Sequence, residues 1–190
     1  GTVTRISINS SDTQTNGASY EGVLSADGTK IVFLSYADNL VAGDTNSESD
    51  IFVKDLVTGE VTRVSTDSSG GQANGHSEHA SLSADGSKIV FESLADNLVA
   101  GDTNGSRDIF VKDLATGEVI RVSTNSNDVQ ADTDSFNGSL SADGSKVVFW
   151  SGASNLVTDD TNNAADVFMK DLATGIITRV NVDSGGGQLN

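Results

Sequence analysis

One segment recurs at a constant offset of 58 residues: GTVTRIS from Gly1, GEVTRVS from Gly59, GEVIRVS from Gly117 and GIITRVN from Gly175. No insertion disturbs the spacing. Three full repeats therefore fill residues 1–174, and residues 175–190 begin a fourth. A chain repeated this closely poses one packing problem three times, and each unit must bury its apolar surface mainly against its neighbours. The most conspicuous part of the repeat is Ala95–Leu114, ADNLVAGDTNGSRDIFVKDL. It returns almost letter for letter at Ala37–Leu56 and more loosely at Ala153–Leu172. Each copy has an apolar Asn-Leu-Val plug, an acidic Asp-Thr-Asn loop and a strand-like run.

Four strands are legible per repeat. In the third repeat, Val119 to Thr124 alternates apolar and polar residues, as a half-buried strand does. A Ser/Asn/Asp/Gln loop follows, then a short strand around Phe136 to Ser141. The SADG tetrapeptide Ser141–Gly144 is a tight turn in which Gly supplies positive φ. Val147 to Ser151 (VVFWS) matches Ile31–Ser35 (IVFLS) and Ile89–Ser93 (IVFES). These near-continuous apolar runs fit strands covered on both faces. After the acidic loop comes a strand such as Ile109–Leu114, and a Thr-Gly turn (Thr116, Gly117) leads on.

Repeated four-stranded antiparallel units without helices are the pattern of β-propeller blades. The chain also resembles TolB-type propeller repeats along its whole length. The residues that carry the resemblance are Ser83-Ala84-Asp85-Gly86, where the family usually has Ser-Pro-Asp-Gly, and the Asp108–Leu114 run ending in Asp-Leu. Ala replaces Pro in all three copies. The resemblance implies an all-β propeller fold and a secreted or surface bacterial protein, and it leaves the activity open.

The expected fold is three four-stranded antiparallel blades of 58 residues plus an extra N-terminal outer strand, an incomplete ring in one chain. Residues 1–18 are read as the outer strand (residues 3–8) and loop of a preceding blade. Blade 1 is assigned to 19–76, blade 2 to 77–134, blade 3 to 135–182, and 183–190 start a further repeat. The absence of an initial Met suggests a processed or excised piece. Propellers close with about four to eight blades, so three leave apolar ends exposed. Two solutions are open: the chain continues a longer array, or copies associate into a ring or filament, with strand addition completing a neighbour's blade. The expected partner is accordingly another copy, as homo-oligomer or polymer through the blade edges.

The charge narrows the remaining partners. With 27 acidic against 11 basic residues the net charge is −16, which argues against nucleic acid or anionic membranes. No apolar run is long enough to span a bilayer, and no signal peptide is present in the chain. Without Cys, a disulfide framework or thiolate metal site is excluded. Alternating strand direction puts the SADG and Thr-Gly turns on one face and the two long loops on the other. The long-loop face is the place for a protein or glycan ligand.

The acidic loops are the candidate metal sites. They offer Asp44, Asn46, Glu48 and Asp50 in blade 1, Asp102, Asn104, Ser106 and Asp108 in blade 2, and Asp160, Asn162, Ala164 and Asp166 in blade 3. Oxygen ligands at alternate positions suit Ca²⁺, with a structural role. The loop resembles the Ca²⁺ loops of integrin-type propellers and dockerin-like repeats, but it lacks their central Asp-Gly and has its last Asp two residues early. The competing reading is that the same carboxylates form Asx-turns and hold loop amides.

The only histidines are His76 and His79, in His76-Ser-Glu78-His79 of blade 2. With Glu78 they could form a transition-metal site near the axis, as in TolB-like polysaccharide lyases. The competing reading is two solvated residues at a strand start, on opposite faces of an extended strand. The recurrent arginines Arg5, Arg63, Arg121 and Arg179 and lysines Lys54, Lys112 and Lys170 are expected to make cross-strand pairs with Asp55, Asp113 and Asp171 on the outer sheet surface. No catalytic dyad, triad or phosphate loop is present, and close repetition argues against an active site. The functional expectation is a non-enzymatic extracellular binding or scaffolding module. The alternatives are a subunit of a surface assembly and a fragment of a propeller lyase or hydrolase.

Overall fold

A computed structural model of the chain is described for residues 1–188. It contains three four-stranded sheets, and no sheet closes on itself. Blade 1 consists of β1 (Ser19–Leu24), β2 (Lys30–Ser35), β3 (Asp50–Asp55) and β4 (Val61–Arg63). Blade 2 consists of β5 (Ser77–Leu82), β6 (Lys88–Ser93), β7 (Asp108–Asp113) and β8 (Val119–Arg121). Blade 3 consists of β9 (Ser135–Leu140), β10 (Lys146–Ser151), β11 (Asp166–Asp171) and β12 (Ile177–Arg179). Strands are neighbours in sequence order throughout and pair antiparallel.

Two expected strands come out differently. The outermost strand is shorter than the alternation of Val119–Thr124 predicts. Past Arg121 the Ile109 amide donates to Ser123 Oγ at 3.1 Å instead of a backbone carbonyl, which ends the ladder. The extra outer strand over residues 3–8 does not form. Ile8 makes only a single bridge to Gln14, because the sheet such a strand would join is not there.

The innermost strand of each blade carries a bulge. Regular pairing is interrupted between Tyr20 and Val23, between Glu78 and Ser81, and opposite Val148–Trp150. At the same repeat position in the three strands, Glu21, His79 and Asn137 take φ of 57°, 51° and 54°. Positive φ at a bulge re-aims the side chain.

Every blade has two apolar faces. The face toward the preceding unit is built from Phe33 and Phe52, Phe91 and Phe110, or Phe149 and Phe168, with the plug leucine Leu40, Leu98 or Leu156. The face toward the following unit is Val32, Leu34, Ile51, Val53 and Val64 in blade 1. In blade 2 it is Val90, Ile109, Val111 and Val122. These faces interdigitate into one core between blades 1 and 2 and another between blades 2 and 3. Gly138 of β9 lies so close to blade 2 that a Cβ there would stand 2.7 Å from Val90 Cγ2 and 2.9 Å from Ile109 Cγ2.

Hydrogen bonds join the blades on both rims. Ala84 N–H donates to Ala142 O at 2.9 Å and Ala26 N–H to Ala84 O at 3.1 Å on the SADG side. On the other side Ser77 N–H donates to Ser49 O and Ser135 N–H to Arg107 O. The lysines of β3, β7 and β11 reach back to the preceding loop rather than to the neighbouring aspartates. Lys112 Nζ donates to the carbonyls of Thr66 and Asp67, and Lys170 Nζ to those of Thr124 and Asn125. The expected pairs of these lysines with Asp55, Asp113 and Asp171 do not form, because each lysine and the aspartate after it point to opposite faces of the strand. The partners of Asp113 and Asp171 are instead Lys88 and Lys146, from the second strand of the blade.

Candidate functional site: clamped acidic loops and an ion cluster at the inner rim

The acidic loops bring their first and last aspartates together, but onto an arginine. Arg63 Nη1 lies 3.2 Å from Asp44 Oδ1 and 3.4 Å from Asp50 Oδ2. Arg121 Nη1 lies 3.0 Å from Asp102 and 3.5 Å from Asp108, and Arg179 Nη1 3.6 Å from Asp160 and 3.4 Å from Asp166. The arginines of the outermost strands thus turn inward to the loops, not outward to Asp55, Asp113 and Asp171. The register explains it. Arg121 stands opposite Phe110, so Asp108 is its diagonal neighbour on the same face.

The rest of each loop serves the clamp. Asn46 Nδ2 donates to Asp50 Oδ2 at 3.1 Å and to Ala73 O at 2.9 Å, and its Oδ1 accepts from Glu48 N–H. Asn104 does the same with Asp108, Ala131 O and Ser106. The Asn162 carbonyl accepts from Ala164 N–H. Ser65 and Ser123 donate to Asp50 and Asp108 at 2.5 Å. Asp50 and Asp108 are fully buried. Burial pushes the Asp102 and Asp108 carboxyls above the usual carboxylate range, with Arg121 and the hydroxyl and amide donors working against it. Asp44 moves the same way, through burial and then the charge of Asp50. This donor set does not fit a calcium ion. The oxygens at the first and last loop positions already face a guanidinium, and Asn46 and Asn104 aim the amide nitrogen, not the oxygen, at the last Asp. Glu48 turns away to His76, 2.8 Å from Nδ1.

The inner rim of blade 2 holds a different arrangement. Glu78 and Glu92 are direct partners in the β5–β6 ladder. Arg107, from the end of the acidic loop, places Nη1 2.7 Å from Glu78 Oε2 and 3.0 Å from Glu92 Oε1. The guanidinium also lies 5.7 Å from the ring centre of Phe136 on blade 3. His79 Nδ1 pairs with Glu92, while its Nε2 is 3.4 Å from Glu21 Oε1 of blade 1. The second oxygen of Glu92 accepts from Asn137 N–H at 2.9 Å. Glu92 is only 1% exposed. Burial alone would lower the His79 pKa, but the hydrogen bond and charge of Glu92, then the charges of Glu21 and Glu78, raise it overall.

Glu78, His79 and Glu92 have ligand atoms within 4.8 Å of one another, the one such group among the described residues. Arg107 holds the position between the two carboxylates, so the cluster is closed by its own cation. His76 does not join it. It sits at the loop of blade 1, with Ser49 N–H 3.1 Å from Nδ1, and the bulge turns His79 separately to the axis. Glu92 and Arg107 carry this cluster and were not singled out by motif. The signal was available: Glu92 interrupts an apolar run where the other repeats have Leu34 and Trp150. Likewise Glu78 replaces Tyr20 and Phe136, and Arg107 replaces Ser49 and Ala165.

No family model matches the chain, and no curated protein does. Solved structures do. TolB from Acinetobacter baumannii is 26% identical with a TM-score of 0.51, over 88% of this chain and 32% of that one. A putative TolB from Agrobacterium tumefaciens is 20% identical with a TM-score of 0.53, over 85% and 48%. The β-propeller domain of the Trilobed protease from Pyrococcus furiosus is 13% identical with a TM-score of 0.55, over 88% and 45%. The chain therefore spans less than half the length of each of these proteins. Its repeats are TolB-type, WD40-like propeller blades, three of them, in an open array.

Proposed function

We propose that the chain is a non-enzymatic β-propeller module for protein binding and scaffolding, working outside the cell or at a bacterial cell surface. In this reading it associates with further copies of itself through its blade faces. One observation carries it. On blade 3 the face toward a following unit is open: Val148 and Trp150 are 39% and 37% exposed and Val180 49%. The corresponding Val32, Leu34 and Val64 of blade 1 are 0%, 5% and 1% exposed. The same surface is thus core twice and bare once, and burying exposed apolar area is favourable at about 25 cal/mol per Å². The ionisable groups of the inner rim support the non-enzymatic reading, since each is engaged by another side chain of the cluster.

Light scattering on the 190-residue chain tests the association. The expected mass is twice that of the 19.6 kDa chain, giving six blades, within the range at which propellers close. A mass of one chain at every concentration overturns it.

A further inference from the structure

We infer that association proceeds by exchange: the loop following β12 of one copy takes the seat that residues 8–14 hold on blade 1 of the next copy. This rests on the self-association reading and specifies how it works.

The seat is a repeated feature. On blade 3, Lys170 Nζ donates to Thr124 O at 2.9 Å and Ile177 N–H to Ser126 Oγ at 3.2 Å. There Asn155 Nδ2 donates to Gln130 O at 2.9 Å. On blade 2, Lys112 Nζ donates to Thr66 O, Val119 N–H to Ser68 Oγ and Asn97 Nδ2 to Gln72 O. In both cases the plug is the loop leaving the preceding blade, pinched by a Thr124–Gln130 or Thr66–Gln72 bridge. Blade 1 has the same seat, filled by the N-terminal segment. Lys54 Nζ donates to Ile8 O at 3.1 Å, Val61 N–H to Ser10 Oγ at 3.0 Å and Asn39 Nδ2 to Gln14 O at 3.0 Å. The bridge there is Ile8–Gln14.

Among the described residues a fourth plug has no seat. Val182 and Gln188 form the same bridge, and Asp183 Oδ1 accepts from the amides of Gly185 and Gly187 at 2.8 Å. Asp67 likewise accepts from the amides of Ser69 and Gly71. Ser184 stands at the repeat position of Ser10, Ser68 and Ser126 and is exposed. This plug is attached to the open face of blade 3, whereas the N-terminal plug comes with no sheet: Val3 is fully exposed. Replacing one plug by the other offers Lys54, Val61 and Asn39 the same kinds of acceptor, the carbonyls of Val182 and Gln188 and the Ser184 hydroxyl, and gives up the Asn9 Nδ2–Asn39 O bond, since Asp183 has no side-chain N–H. It also brings the whole face of Val148, Trp150 and Val180 against the β1–β2 edge of blade 1, where Tyr20 and Leu24 are exposed. The apolar burial gained outweighs the one loop hydrogen bond given up and gives the exchange its direction. The occupant of the open face is therefore blade 1 of a second copy.

Because the chain has no Cys, introduced thiols are unique labels. Glu60, beside Val61, is exposed. Mixing an S184C chain with an E60C chain and adding a short bis-maleimide is expected to give a crosslinked pair. In the double variant S10C/E60C the same reagent ties the N-terminal segment to its own blade. The tied chain is expected to remain a monomer at concentrations where the untied one associates. Association of the tied chain equal to that of the untied one, with no S184C–E60C product, overturns the exchange and leaves self-association standing. Absence of association in the unmodified chain overturns both.

Discussion

Glu78 and Glu92 stand directly opposite each other in the β5–β6 ladder, two like charges where blade 1 has Tyr20 facing Leu34. Like charges so placed repel. The Arg107 guanidinium makes the pair tolerable by contacting both, and His79 and the Asn137 amide complete the shell of the buried Glu92.

Removing Arg107 is therefore expected to be costly. An Arg107→Met chain should lose about 3 kcal/mol of unfolding free energy, because a buried carboxylate is left with one cation fewer. The combined change E78Y/E92L/R107S, which installs the residues of blade 1, should lie within about 1.5 kcal/mol of the unchanged protein, since apolar groups of similar volume replace a buried ion network. Urea titration of both variants measures this. Equal losses would show that packing at these positions, not charge, sets the stability.

The same cluster gives a pH dependence. His79 has a folded pKa raised above its ordinary value, so its contribution to stability is full below about pH 6.5, the unfolded value. It is lost as pH rises through the higher folded value. Thermal melts between pH 6 and 9 should show this decline, and His79→Gln should flatten it. Its side chain is 45% exposed, so the effect is small.

At acid pH the SADG turns act in the opposite sense. Asp27, Asp85 and Asp143 are each held down to about 2, first by the serine two residues before and then by the amide two residues after. Their stabilisation is present above the unfolded value near 4 and is lost as pH falls toward 2. The triple change to Ala should remove that part of the acid transition in denaturation followed by circular dichroism.

The arginine clamp predicts indifference to calcium. The melting temperature should not move on adding millimolar Ca²⁺ or a chelator, because Arg63, Arg121 and Arg179 hold the carboxylates. A ligand present at 100 times its Kd would contribute about 2.7 kcal/mol and be readily seen. A rise of several degrees with Ca²⁺ would overturn the clamp as the cause of loop order.

Gly138 reports on the interface between blades 2 and 3. Gly138→Leu should destabilise by about 1–3 kcal/mol through overpacking against Val90 and Ile109. Gly138→Ala should cost less, since Ala80 occupies the same position in blade 2. Melting curves of the two variants give the order.

Much of this was legible in the residues. The 58-residue period, the SADG turns and the IVFLS, IVFES and VVFWS runs located nearly every strand, since period-two alternation and turn chemistry are local properties. Residues 3–8 carry the pattern of an outer strand but form none, because a strand's local pattern does not supply its partner. In the acidic loops, candidates in sequence for a metal site, side chains do converge. What they converge on was not legible: Arg121 is 13 residues from Asp108 and 19 from Asp102, and only the β7–β8 register puts all three on one face.

The sequence by itself determined the repeat, the four strands of each blade, their turns and the alternation of faces, because these follow from short-range sterics and patterning. Which charges meet was decided by the tertiary structure alone. The Arg63 clamp, the Arg107 bridge from the β6–β7 loop to two glutamates and the seat of Ser10 on Val61 all depend on separations near 3 Å between residues far apart in the chain. Hydrogen bonds and ion pairs are decided at that distance, and no local pattern encodes it.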